Sequence, residues 1–544
     1  MNSMLQFSLL DERIISTVDS VTGARASQTL PGVLAALASD RIADFPAIRP
    51  HQRHVWHALL VQIAAIVMHR GGCTQLPDTE DQWRAELLAL TPADQDGAAW
   101  SLVTPHNRPA FLQPPVPEGT TSGFKKTETA DALDVLVTAK SHDVKRQNLR
   151  LGGAEHWLYA LISLQTQEGF LGAGNYGISR MNGGFASRPS IGITPAGGPG
   201  RRFVRDVRRA LELRGLLLEE YPFYPAGDGL TLLWLEPWNG QTSLLPSQLD
   251  VCYIEICRRV RLQTGHDGGI HALTTGTRVA RIDAKALKGR TGDGWTPLVA
   301  DGTDRKALTI TRESFSYKQL TALLFPRQAD AQAVQRAPLQ AIAAGDDALG
   351  LEVIARGMVR GQGKTEGFHE RRVPVSTSVR RFLTEAPTDY GAAVAADRVA
   401  DAGLIARKVL YPAALLVFTG APLEGERKRD DDTAKKRAGR VLAEFDDLVD
   451  RTFFEDLAIE LEGGSESTEA TAARARWILQ LMQHARTVLD RCAHAAPSAA
   501  MRSYRTRARA RDQLERAFHR YFGERTGVAV PSSPSITLTI APER

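Results

Sequence analysis

Cysteine is scarce: there are four in 544 residues, Cys73, Cys252, Cys257 and Cys492, and none sits in a CxxC pair. A disulfide framework is thereby excluded, no structural zinc is expected, and a reducing compartment fits. The most apolar helix candidate is too short and too polar to span a bilayer. The most apolar stretch, residues 55–68, is short, contains His57 and Gln62, and is hydrophobic nearly all round, which predicts a buried core helix. The first thirty residues hold no cationic start followed by an apolar segment, because Asp11, Glu12 and Arg13 intervene. A soluble, cytoplasmic protein with no membrane partner is expected. Catalytic signatures are missing as well: there is no GxSxG, no GxxxxGK followed by Ser or Thr, and no acidic pair of the kind that holds two metals. Nor is one sign of charge in large excess. Lys plus Arg number 67 against 62 for Asp plus Glu, a net +5. A polyanionic partner must therefore be met by local basic patches.

What is present is ample material for a core. The chain exceeds the size at which single cores stop growing, so two or three domains are expected. Around the buried helix stand His51, His54, His57 and His69, at spacings that drift around the helix and with no nearby carboxylate in sequence; they read as ordinary helix-start histidines and not as metal ligands. Residues 107–115 form an extended, proline-bounded segment. Lys125-Lys126 and residues 140–150 make basic loops, and residues 157–162 an apolar helix. Gly172-Ala173-Gly174-Asn175-Tyr176-Gly177 spells GxGxxG, but more glycines follow and no acid stands in the next twenty residues, so a dinucleotide fold is not expected. It reads as a bare-backbone loop able to approach a ligand, flanked by Arg180 and Arg188. Residues 230–235 and 253–256 read as strands, and Arg258, Arg259, Arg261, Lys285, Lys288 and Arg290 as solvated edge charges.

Residues 351–375 carry the strongest local signal. Apolar residues Leu351, Val353 and Ile354 lead to Gly361-Gln362-Gly363, where glycines on both sides permit a tight protruding tip. Arg356, Arg360, Lys364, Arg371 and Arg372 are read as surrounding it with positive charge, a combination suited to prying into a duplex. After Pro374 helical spacing takes over: 394–410, 441–449, 478–492, and 501–522 with Tyr504, Ala508, Leu514, Phe518 and Tyr521 expected inward. Four such helices make a bundle. Residues 501–520 hold seven arginines against Asp512 and Glu515, a candidate phosphate-tracking surface.

Several of these pieces together resemble the CasA family, the large subunits of type I-E CRISPR surveillance complexes (Cascade): Phe111-Leu112-Gln113, the glycine loop, LLWLEPW at 232–238, LEVIARGMVRGQGKTEG at 351–367 and the terminal helices. The resemblance implies an α+β fold, with an irregular mixed α/β domain at 1–375 and a four-helix bundle at 376–544. It implies that Gln362, between Gly361 and Gly363, is a wedge that splits the first target base pairs. Gly172, Ala173 and Gly174 are then the loop that reads the protospacer-adjacent motif from the minor groove. A lysine before the Trp295-x-Pro297 turn helps; Lys285 and Lys288 compete for that role, with Lys288 favoured. The 140–150 loop is implied to contact the guide-RNA end of the complex and the DNA. Arg505, Arg507 and Arg509 then hold the displaced strand. Implied partners are the guide RNA, the backbone, small and guide 5′-end subunits, double-stranded DNA and a helicase-nuclease, with no cofactor, metal or catalysis. Two departures stand out: Cys252 and Cys257 do not reproduce the cysteine cluster of some relatives, and Ala173 occupies a position where relatives often have glycine. The competing reading is a free-standing metal-dependent nucleic-acid enzyme using Glu366, His369 and Glu370.

Overall fold

The computed structural model describes residues 5–135, 152–311, 313, 315–326, 334–343, 345–346, 350–361, 364–380, 383, 389–420, 432–463, 468–496 and 500–526. The chain divides into two compact units, Met1–Phe315 with Pro326–Ala386, and Ser316–Phe325 with Pro387–Arg544. The first unit thus continues past residue 375, and residues 316–325 belong to the helical unit.

In the first unit the apolar stretch becomes the helix Arg53–Gly71, buried on every side from Val55 to Met68. Gly72, at φ 60°, ends it by turning its N–H back to the carbonyls of His69 and Met68, a conformation glycine adopts without strain. The helices Ala154–Gln167 and Pro199–Glu220 pack beside it. Around them lie six small sheets of two or three strands among the described residues. The segments Phe111-Leu112-Gln113 and 232–238 meet in this core: the Trp234 ring lies 5.9 Å from Trp100 and 5.6 Å from Phe111. Gln113, fully buried, donates to the carbonyls of Leu102 and Phe111 and accepts from the Leu262 N–H.

Three of the arginines read as solvated edge charges are interior, whereas Arg290 is partly exposed. Arg258 and Arg259 are 7% exposed and Arg261 only 1%. Arg261 donates to the carbonyls of Thr104, Pro105, Arg108 and Gln113, and burial pushes its pKa down to about 9. Loops on neighbouring elements supply those carbonyls, which no local pattern reveals. The histidines also find partners that the linear sequence hides. His51 meets Asp134 at 2.7 Å and His57 meets Asp206 at 2.8 Å, so the expectation of no orienting carboxylate is overturned.

The second unit holds the expected four-helix bundle. Its first helix, Asp389–Leu404, passes through a wide turn at Ile405–Leu410 into Tyr411–Thr419. Pro412 has no N–H and its ring crowds the preceding turn, which accounts for the widening. This run, Tyr390–Thr419, is apolar and long enough to cross a membrane, yet half of its most apolar window is buried within the protein, as in a core helix. The helices Asp432–Gly463, Thr468–Ala495 and Ala500–Thr526 complete the bundle. Phe445, Val449, Phe453, Leu457 and Leu461 form an i, i+4 stripe that packs on Trp477 and Leu481. The short helix Tyr317–Leu324 joins them: the Tyr317 hydroxyl donates to Asp446 (2.8 Å) and its ring lies 4.8 Å from Phe453. In the last helix the buried apolar residues are Ala510, Leu514, Phe518 and Phe522, with Thr506 buried one turn before them. Tyr504 is 81% and Tyr521 39% exposed, and Ala508 also faces water, so those three expected inward point out.

Candidate nucleic-acid interface

The hairpin is built from Leu351–Gly361 and Lys364–Val375, with Ser190–Thr194 completing a three-stranded antiparallel sheet on the inner edge. Val359 opposes Gly367 and Arg360 opposes Thr365, so Glu366 is an extra residue in the outer strand, a bulge. Gly367, at φ 140°, supplies the backbone angle there. The apex residues Gln362 and Gly363 lie outside the described residues, and Gly361 is the last described position before them.

The cations read as ringing the tip are mostly engaged. Arg356 is 8% exposed and its Nε donates to Glu370 at 2.8 Å. Arg360 pairs with Glu168, both side chains essentially sealed from water. Arg372 is held between Glu352 and Glu370. Thr365 donates to the Val135 carbonyl, which carries the tip end of the hairpin to the start of the 136–151 segment. That segment, with the expected 140–150 loop, lies outside the described residues.

The glycine loop follows the helix Ala154–Gln167 directly. It is a loop and not a helix start: Asn175 N–H donates to the Gly172 carbonyl, and Leu171 N–H to the Asn175 carbonyl. Gly172 and Gly174 sit at φ 119° and 84°, angles that a Cβ makes costly. Gly174 accepts from the Thr277 N–H at 3.0 Å. Arg180 and Arg188, read as flanking cations, are buried struts. Arg188 makes a two-pronged pair with Asp293, and Arg180 lies over the Tyr253 ring at 4.2 Å with Glu255 beside it. Their role is to hold the loop's base, because neither is exposed.

Arg360, on the inner strand of the hairpin, and Ala173 and Gly174 of the glycine loop line one cleft of about 450 Å³. Lys125, Arg258, Arg259 and Arg360 line it against Asp134 and Glu168, with Ala173 and Gly174 at the wall. Lys125 is the exposed cation at this cleft, Arg258, Arg259 and Arg360 being turned to carbonyls, Glu118 and Glu168, and the bare backbone of the loop admits close approach. Sequence reasoning missed Glu168 and Gln165. The Gln165 side-chain Oε1 accepts from the N–H groups of Cys257 and Arg258 (2.9 and 2.8 Å). The only signal was a polar run, Gln165-Thr166-Gln167-Glu168, closing an apolar helix.

Lys288 ends a short turn, Lys285–Leu287, at φ 51°, and its Nζ lies 2.6 Å from Asp301, which raises its pKa. Lys285 is exposed and meets no carboxylate among the described residues. On the last helix, Arg507 donates to the Ala493 carbonyl at 3.0 Å, while Arg511 and Arg525 pair with Asp490 and Asp401. Arg509 is exposed and Arg505 partly so. His369 and Glu370 are neighbours on one strand, so their side chains point to opposite faces and do not converge. Among the described residues no three His, Cys, Asp or Glu side chains are grouped to hold a metal.

No protein-family profile matches the chain, and no curated protein sequence does. Solved structures do. Cse1 from Acidimicrobium ferrooxidans superimposes with a TM-score of 0.66 at 14% identity, covering 97% of this chain and 100% of that one. CasA (Cse1) from Thermus thermophilus gives 0.62 at 15%, covering 96% and 100%. The fold is that of CasA. A chain of a CRISPR RNA-guided surveillance complex is also similar, at 0.57 and 13%, covering 94% and 100%. The likeness to CasA thus runs through both units. So few shared identities explain why whole-sequence profiles are silent while the path of the chain is retained.

Proposed function

We propose that this protein is the large, non-catalytic subunit of a type I-E CRISPR RNA-guided surveillance complex. In this reading it recognises the protospacer-adjacent motif in double-stranded DNA, parts the duplex beside it and starts the R-loop. The observation that carries the reading is the meeting of Arg360, on the inner hairpin strand, with the glycine loop at one cleft within a CasA fold. Gly172, Ala173 and Gly174 approach the minor groove with bare backbone, aided by Lys285 or Lys288. The minor groove presents a degenerate pattern, so several related motifs are tolerated. Gln362, at the apex between Gly361 and Gly363, enters the first base step. Opening a step costs on the order of a few kcal/mol, and pairing with the guide offsets it. Sequence itself is read by the guide, so no bond is made or broken by this chain.

Arg505, Arg507 and Arg509 hold the displaced strand in this reading. Partners are the guide RNA, the backbone, small and guide 5′-end subunits, target DNA and a recruited helicase-nuclease, in the cytoplasm. The test uses the complex reconstituted with guide RNA. Gln362→Ala is expected to weaken binding to intact duplex roughly tenfold, while binding to a target with the first base pairs already open is spared. Undiminished duplex opening in that variant defeats the wedge. Metal-dependent DNA cleavage by the purified chain, abolished by His369→Ala, would favour the enzyme reading instead.

A further inference from the structure

We propose that the buried Arg360–Glu168 ion pair is a positioning device that fixes the end of the inner hairpin strand, Leu351–Gly361, against the glycine loop. Motif reading and strand parting then happen in one docked geometry. The inference rests on the function proposed above and adds to it the residues that join its two halves.

Arg360 is the last residue but one of the inner hairpin strand, and Glu168 is the first residue after the helix Ala154–Gln167. Their side chains are 0% and 2% exposed. Among the described residues Arg360 Nε and one Nη meet no acceptor, and Glu168 is the carboxylate that pairs with this guanidinium. The loop that Glu168 begins is rigid at its neck. The Glu168 carbonyl accepts from the Ile178 N–H at 3.0 Å, and Arg258 donates to the carbonyls of Gly169 and Tyr176. A Cβ on Gly169 would stand 2.0 Å from the Ala186 carbonyl oxygen, and one on Gly177 2.5 Å from the Gly169 carbonyl carbon. At the far end Gly172 has open space around it. The neck is stiff and the tip at Gly172 open, and the described ionic tie of this loop to the hairpin is this pair. A charge-assisted, directional bond sealed from water resists both sliding and rotation.

The test compares wild type, Glu168→Gln, Arg360→Met and the double variant Glu168→Leu/Arg360→Met in the assembled, guide-loaded complex. Removing one member strands a buried charge, whereas an apolar pair of similar volume is often neutral for stability, so the double variant keeps the fold. Its melting temperature is expected to match wild type. Probes are a motif-bearing duplex, the same duplex without the motif, and the motif-bearing target with its first base pairs pre-opened. The expected result is a tenfold or greater loss on the intact duplex in the double variant, with pre-opened target bound within about threefold and its motif preference kept. A double variant that melts like wild type and binds the duplex equally well overturns the proposal. So does a loss of equal size on duplex and pre-opened target, the mark of a merely structural role. Wild-type complex with no motif preference on either probe would instead sink the function itself, a separate outcome.

Discussion

In the first unit Arg180, Arg188, Arg205, Arg258, Arg261 and Arg360 lie inside the protein, each turned toward carboxylates or backbone carbonyls. In the last helix of the second unit Arg509, Arg511, Arg516 and Arg520 stand in water. The residue type is the same and the use is opposite. An interior guanidinium is a five-donor joint that gathers loops lacking ladder partners, which suits a unit made of small sheets and long connections. A helix satisfies its own backbone and has no such need, so its arginines remain on the outside. Density of positive charge along the sequence therefore says little about where a polyanion can bind.

The largest effect that sharpens this contrast comes from Arg188→Met. It leaves Asp293 buried with Arg180 3.9 Å away, and a loss of about 3–5 kcal/mol is expected in denaturant unfolding. A loss below about 1 kcal/mol would erase the distinction between interior and surface arginines. Next comes acid. Burial, then the neighbouring Arg202, pushes the His57 pKa down from 6.5 to about 4 despite Asp206. Below pH 6.5 the unfolded chain takes the proton first, so His57's contribution to stability is whole above that pH and declines as pH falls toward 4. That contribution is on the order of 3 kcal/mol. Unfolding followed from pH 7 to pH 4 should therefore be shallower in His57→Gln than in wild type; parallel curves would count against a neutral, buried imidazole. Smallest is the exterior set. Replacing Arg505, Arg507 and Arg509 together by alanine should lower the slope of log affinity for single-stranded DNA against log salt by about 2, without altering motif choice. An unchanged slope removes the last helix from the DNA path.

Much of the bundle was legible because its spacing is regular: every residue read as inward between Ile478 and Cys492 is buried. The last helix was misread at Tyr504, Ala508 and Tyr521, since a tyrosine tolerates water through its hydroxyl and a small alanine carries little weight; the strict i, i+4 row from Ala510 to Phe522 was the better guide. The continuation Tyr411–Thr419 was hidden by Pro412, which a wide turn accommodates. At the candidate site, the glycines around residue 362 announced a turn from local chemistry alone. The tie to Glu168 could not be read, because it joins residues 192 positions apart that tertiary packing alone brings together.

The extra residue at Glu366 has a mechanical meaning of its own. An added position in one arm of a ribbon bends and twists everything beyond it, so the outermost pairs leave the sheet at an angle set by the backbone. The pairs Arg360–Thr365 and Gly361–Lys364 are consequently held at a fixed angle to the rest of the ribbon. Shortening that arm by one residue would remove the bend and change the direction in which those two pairs leave the sheet.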